Sequence, residues 1–126
     1  FADRNRKGPA VRPIQYSSSN PVAIEKFSPP ETLVKGNPRQ LVESYFESAD
    51  GRFRTGIWSG ERGAYRLEFG AAKHEFFILL AGHVRLTPDD GPATDYRPGD
   101  ACVVPAGFRG VFEILEDARK HYAVSE

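Results

Sequence analysis

An all-β fold, a sandwich or barrel preceded by an extended N-terminal arm, is the architecture this sequence predicts. From residue 53 onward, short β-type runs are separated by Gly, Pro and Asp at turn spacing, the pattern of many short strands. Outside residues 39–47 no long stretch carries an apolar period of 3.6, which argues against helices. Residues 1–40 contain Pro9, Pro13, Pro21, Pro29, Pro30 and Pro38. Proline fixes φ and lacks an amide donor, so long helices and central strands are not expected there.

Taken in order, the arm (1–40) leaves room for extended pieces at Val11 to Tyr16 and Val22 to Phe27, with Ser17-Ser18-Ser19-Asn20 between them. It is expected to lie along a surface, its own or a partner subunit's, or to form a partly disordered leader. The barrel is assigned to residues 41–126. Leu41 to Glu47 reads as a strand or a short helix, and Ala49-Asp50-Gly51-Arg52 as a turn. Strands follow at Phe53 to Ser59, Ala64 to Phe69, Glu75 to Leu80, His83 to Thr87, Thr94 to Tyr96, Ala101 to Val104, Gly110 to Leu115 and Lys120 to Val124. Pro88-Asp89-Asp90-Gly91 is a hairpin signal. Glu75 to Ala81 does not alternate polar with apolar, so both of its faces need cover. One face would look into the lumen. The other would meet a second sheet, the arm or another subunit, and a homodimer is expected on that ground.

Composition narrows the function classes. The 126 residues fit one domain, and 17 basic against 17 acidic side chains give a formal net charge of zero. Overall charge therefore offers no case for nucleic acid or an anionic membrane as partner. No run of about 18 apolar residues marks a membrane span, and no signal peptide is legible. The single cysteine, Cys102, excludes an internal disulfide and fits a reducing cytoplasm. Flanked by Ala101 and Val103-Val104, it reads as a small core residue rather than a nucleophile.

Two segments are more specific. Glu75-Phe76-Phe77-Ile78-Leu79-Leu80-Ala81-Gly82 sets six residues between a glutamate and a glycine. Gly99-Asp100-Ala101-Cys102-Val103-Val104-Pro105-Ala106-Gly107 is a glycine, five residues, then Pro-x-Gly, and 16 residues separate Gly82 from Gly99. Together with Gly56-Ile57-Trp58, Gly82 to Thr87, Gly107 to Gly110 and Arg119-Lys120-His121-Tyr122, they make residues 53–124 resemble the cupin superfamily. Within it, the chain is similar to the small cupins that include the ethanolamine-utilisation cupin and the cupin domain of ureidoglycine aminohydrolase. The resemblance implies a double-stranded β-helix, the jelly-roll barrel. It leaves function open, because this fold hosts enzymes, sensors and storage proteins.

The resemblance also exposes what is missing. A metal-binding cupin carries His-x-His three or four residues before its glutamate. The first register places Phe69 and Ala71 in those slots, and Gly63 favours it; the second places Glu68 and Gly70. The later histidine slot is Gly110 and the closing Asn slot is Ile114. Only Glu75, or Glu75 with Glu68, remains as a ligand. A first-row metal usually needs three or more, so no metal and no other cofactor is expected. His74 adjoins Glu75 and should point to the opposite face. His83 is expected to be exposed, and His121 could face either way.

With Glu75 toward the lumen, alternation sends Phe77 and Leu79 the same way, and Gly110, Phe112 and Ile114 share a face opposite. Trp58, Arg66 and Tyr122 complete the expected ligand-binding set with Glu75, Phe77 and Phe112. The Trp58 indole would want an acceptor. Arg109 and Lys120 are expected on the barrel rim, and Asp100 as a turn former. A desolvated Glu75 could act as a general acid or base. If Arg66 or Lys120 pointed inward, the pairing would keep Glu75 ionised, to hold a zwitterionic or carbonyl-bearing molecule. The first expectation is a metal-free barrel that binds a small polar metabolite of amine, ureide or amino-acid metabolism. The alternative is an aminohydrolase- or isomerase-like enzyme with Glu75 as its catalytic acid/base. A third reading is an oligomer-building protein that uses the arm and the apolar sheet face.

Overall fold

A computed structural model describes residues 10–126; Pro9 and the first part of the expected arm lie outside them. Nine strands occur among the described residues: β1 (Ile24–Lys26), β2 (Leu33–Lys35), β3 (Gln40–Glu47), β4 (Phe53–Gly60), β5 (Gly63–Glu68), β6 (His74–Pro88), β7 (Thr94–Tyr96), β8 (Ala101–Val104) and β9 (Arg109–Ser125). All pairings are antiparallel. The all-β jelly-roll expectation holds. Among the described residues no helix is long and apolar enough to cross a membrane.

The fold is organised by two long strands where the turn pattern of the sequence predicts four. Glu75 to Leu80 and His83 to Thr87 are one 15-residue strand, β6. Gly110 to Leu115 and Lys120 to Val124 are one 17-residue strand, β9. The two pair along nearly their whole length, from His74 opposite Ser125 to Pro88 opposite Gly110. Gly82 looked like a strand break because glycine interrupts the run. It instead marks a bend: the register shifts at Leu79/Ala81, Ala81/His83 and His83/Val84, so the ribbon turns a corner without losing its pairing. Gly82 takes φ +84°, and a Cβ there would sit 2.2 Å from the Asp117 carbonyl oxygen. Only glycine permits that approach.

Each half of this ribbon carries its own neighbours. The C-terminal half of β9 pairs with β4, then β3 and β1; its N-terminal half pairs with β5, then β2. On the far edge of β6, β8 borders the first half and β7 the second. The inward side chains of both halves meet in one core that includes Phe77, Leu79, Val84, Leu86, Phe112 and Ile114. Leu41 to Glu47, ambiguous between strand and helix, lies in β3, where pairing to β4 overrides its helical period.

The described part of the arm is woven into the sheet. β1, within the run expected at Val22 to Phe27, pairs with β3, and β2 pairs with β5. Val11 to Gln15 forms no strand, and Tyr16–Ser18 is a 3-10 turn. Tyr16 stacks on Tyr45 at 3.9 Å and donates its hydroxyl hydrogen to Thr55 Oγ1 at 2.8 Å. The arm thus covers part of the outer face of β3 and β4. The outer face of β6 and β8 stays open: Phe76, Leu80 and Val103 are all exposed.

Candidate functional site

Period-2 alternation positions the site. On β6, Glu75, Phe77 and Leu79 point inward; on β9, Lys120, Tyr122 and Val124 do so opposite them. On β5, Tyr65 and Leu67 face inward, leaving Arg66 outside. The sheet halves enclose a cavity of about 220 Å3 lined by Trp58, Tyr65, Phe69, Glu75, Phe112 and Tyr122, with Val42, Leu67 and Val124. Cations crowd it: Lys26, Arg54, Lys73 and Lys120 also line the wall.

At its base, Lys120 Nζ lies 2.8 Å from Glu75 Oε2, with side chains only 10% and 14% exposed. The same ammonium sits 4.8 Å from the Trp58 ring centroid, 4.7 Å from Phe77 and 4.9 Å from Phe112. Three π faces and one carboxylate thus hold the charge in place of water. Behind this layer Gln40, 1% exposed, accepts from Trp58 Nε1 at 3.0 Å and from the Tyr65 hydroxyl at 3.2 Å. Its own amide donates to Ser28 Oγ at 3.1 Å. Gln40 thereby fixes two wall aromatics and ties the arm to the cavity. Burial, aided by the Glu75 charge, pushes the Tyr65 phenol well above its ordinary range. Burial also raises Tyr122. Both phenols therefore stay protonated as hydrogen-bond donors at neutral pH.

Of the six expected ligand-binding residues, the structure brings Trp58, Glu75, Phe112 and Tyr122 onto the cavity wall. Phe77 lies beneath it, 1% exposed, under the Lys120 ammonium. Arg66 is a correction. Its neighbours Tyr65 and Leu67 take the inward positions, and its guanidinium is held outside by Asp89 at 2.8 and 3.1 Å. It borders a separate surface groove between β5 and the arm. Lys120 is the second correction: it is buried rather than on the rim. Lys120 and Tyr122 are two residues apart on one strand, so placing Tyr122 inside already required Lys120 inside; the usual exposure of lysine argued the other way. His83 is also less exposed than expected, at 12%, because its Nε2 meets Asp95 at 2.8 Å. Arg109 is exposed, as expected, and pairs with Glu68.

Lys26, Lys73, Tyr65 and Gln40 were missed. Tyr65 was legible from its alternation with Leu67. Gln40, Lys26 and Lys73 carried no signal, since their places depend on arm and loop docking. Lys26 is set opposite Gln40 by the β1–β3 register, which puts it on the inner face. Desolvation of its ammonium, then the charges of Lys73 and Lys120, lower its pKa from 10.5, although the residue as a whole is exposed at the cavity mouth.

The motif positions can be tested for metal. Phe69 fills the first histidine slot and lines the cavity, which selects the first register. Glu68, the ligand of the second register, faces out toward Arg109. At Gly110 a Cβ would stand 2.3 Å from the Thr87 carbonyl oxygen, so the slot has no room for any side chain. His74 is exposed and accepts from the Ala106 amide, and His121 packs outside against Tyr16. Among the described residues no group of three or more His, Cys, Asp and Glu side chains converges. The donor set does not fit a cupin metal. His121 and Tyr122 also part, with only Tyr122 at the cavity. Cys102 is half-buried. Burial raises its pKa, and its thiol donates to the Tyr96 hydroxyl at 3.2 Å.

Similar folds occur in solved structures. A protein of unknown function from Pseudomonas syringae pv. tomato superposes with a TM-score of 0.74 at 22% identity, over 82% of this chain and 44% of that one. The EutQ protein of Clostridium difficile gives 0.61 at 18% identity, over 79% of each chain. The Cnp3 cupin domain of Schizosaccharomyces pombe gives 0.59 at 14% identity, over 82% of this chain and 86% of that one. At these identities the likeness establishes the fold alone. The present chain spans less than half the length of the Pseudomonas protein. No functionally curated protein matches the sequence. The model of the EutQ-like cupin domain matches residues 47–122, more than half of the chain, and the protein therefore belongs to the EutQ-like cupin domain family.

Proposed function

We propose that this chain is a metal-free cupin whose lumen binds a small polar metabolite. The observation that carries this reading is the Glu75–Lys120 pair at the base of an aromatic cavity. The ammonium sits against the one motif ligand that survives, where a cupin metal would need it free. An apolar wall with a few convergent polar groups is the ordinary make-up of a small-molecule site. At about 220 Å3 the cavity suits a metabolite rather than a larger ligand. The Tyr122 phenol donor and the charges of Glu75 and Lys120 can orient carbonyl, carboxylate or amine groups. Family membership is compatible with ligands from amine, ureide or amino-acid metabolism. The free thiol of Cys102 fits a reducing cytoplasm.

The test has two parts. Elemental analysis of protein purified without chelator or His-tag should find metal far below one ion per chain. Thermal-shift screening with small amines, ureides, amino acids and carboxylates, followed by calorimetry, should find a ligand whose binding is lost in Lys120→Met and Glu75→Gln. Near-stoichiometric zinc, manganese, iron or nickel, or a ligand indifferent to both substitutions, would refute the proposal. Turnover of a bound molecule that Glu75→Gln abolishes while leaving binding intact would favour the acid/base enzyme instead.

The proposal includes a homodimer. Phe76 and Leu80 of β6 and Val103 of β8 form the apolar strip left open by the arm, and a second copy would cover it. Light scattering should give a dimer, with Phe76→Asp shifting it to monomer; a monomeric parent protein sinks the idea.

A further inference from the structure

We infer that the ligand is a small dianion, seated between Lys26 and Lys73 at the cavity mouth with Lys120 below. The inference rests on the proposed binding function and specifies its chemistry. Four cationic side chains line the cavity against one carboxylate, Glu75. Two of the four are already matched: Lys120 by Glu75 at 2.8 Å, and Arg54 by Glu126 at 2.6 Å and the Gly51 carbonyl oxygen. Lys26 and Lys73 form no ion pair among the described residues, although Lys73 Nζ lies 4.7 Å from the Phe69 ring centroid. Two positive charges therefore remain unmatched around one cavity.

Composition does not produce this excess, because the chain has as many acidic as basic side chains. It is made by folding, which gathers Lys26 from the arm, Lys73 from the loop before β6 and Lys120 from β9. Like charges held together repel, and the lowered pKa of Lys26 reports that repulsion as well as desolvation. An entering dianion would reverse it, gaining attraction from both free ammoniums in partly water-excluded surroundings. A neutral or cationic ligand would leave the repulsion standing.

Dicarboxylates and phosphate share this chemistry, and calorimetry at low ionic strength can separate them. The probes are succinate, malonate and inorganic phosphate, with succinamide as neutral control and 1,4-diaminobutane as dicationic control. At least one dianion should bind, and both controls should bind at least tenfold more weakly. Lys26→Gln and Lys73→Gln should each weaken the dianion about tenfold or more. Both residues stand at the mouth, so neither variant should lower the unfolding midpoint of the free protein. Binding of phosphate alone assigns a phosphate-bearing ligand; binding of the diacids alone assigns a dicarboxylate. If a control binds as well as the dianions, or if both lysine variants bind them unchanged, the dianion inference is wrong. If only a neutral or cationic molecule binds, in a manner sensitive to Lys120→Met, the pocket reading survives and the dianion falls. If no probe and no screened metabolite binds, both fall.

Discussion

Lys120→Met tests the centre of the site most directly. The substitution keeps the length and apolar character of the stem and removes the ammonium that lies 2.8 Å from Glu75. Removing one partner of a buried ion pair costs about 3–5 kcal/mol, because the other charge is left uncompensated. The cavity opens to solvent and Glu75 is 14% exposed, so this pair belongs at the lower end, about 3 kcal/mol. Loss of the cation from the Trp58, Phe77 and Phe112 rings enters the same figure and is not added to it. At this chain length that is a fall in Tm on the order of 10 °C. Glu75→Leu alone should cost a similar amount, since it strands the ammonium. The double variant removes both charges and fills the space with apolar groups, a change that is often neutral or better. It should therefore be more stable than either single variant, with a coupling of about 2 kcal/mol or more in a double-mutant cycle. Urea unfolding followed by tryptophan fluorescence, with Trp58 as the reporter at the pair, supplies the four stabilities. Additivity within about 0.5 kcal/mol would mean that the two side chains do not meet in solution, and the account of the site would fail.

Three further outcomes follow from the geometry. Gln40→Leu should cost about 2–4 kcal/mol in urea unfolding, because the Trp58 indole and Tyr65 hydroxyl lose their shared acceptor in a buried place; a loss below about 1 kcal/mol would show that water replaces it. Gly110→Ala should cost about 2–3 kcal/mol, since its Cβ would meet the Thr87 carbonyl oxygen at 2.3 Å and the strands must part; thermal unfolding reads this, and a neutral result would reopen the histidine slot. Dianion affinity should fall as pH rises through the lowered pKa of Lys26, below 10.5. Binding restores that proton, so calorimetry in buffers of different ionisation enthalpy should record proton uptake on the alkaline side. Over the same range, stability of the free protein conferred by this group should rise with pH, because the unfolded chain holds the proton longer. Affinity independent of pH up to 10.5 would remove Lys26 from the seat.

Much of the fold was legible because its signals are local. Turn residues separate the strands, and the Glu75–Gly82 and Gly99–Gly107 segments keep family spacing. The missing histidines were legible too, since a slot filled by Phe69 or Gly110 needs no coordinates to be recognised. The strands run on through Gly82 and residues 116–119, where the sequence predicts ends. A glycine that ends a strand and one that lets a strand bend look alike until its partner is known. At the site, Phe77 follows from alternation with Glu75 and Phe112 from alternation with Gly110 and Ile114, whereas Trp58 and Tyr122 rest on their aromatic character alone. The placements of Arg66 and Lys120 failed because the sequence alone gives no strand phase for β5 or for the C-terminal half of β9.

By itself the sequence determined an all-β architecture from its short strands and turns, and the family resemblance implied the inward face of β6 and the loss of the metal-ligand set, because these signals act over a few residues. Tertiary structure alone decided that Lys120 faces Glu75, that Gln40 ties two aromatic rings to the arm, and that Lys26 and Lys73 share one cavity mouth. Those contacts join residues a dozen or more positions apart, through the β1–β3 register and the bend at Gly82. A charge count of zero over the chain cannot reveal a cluster of like charges, because only packing decides which of them must share low-dielectric space.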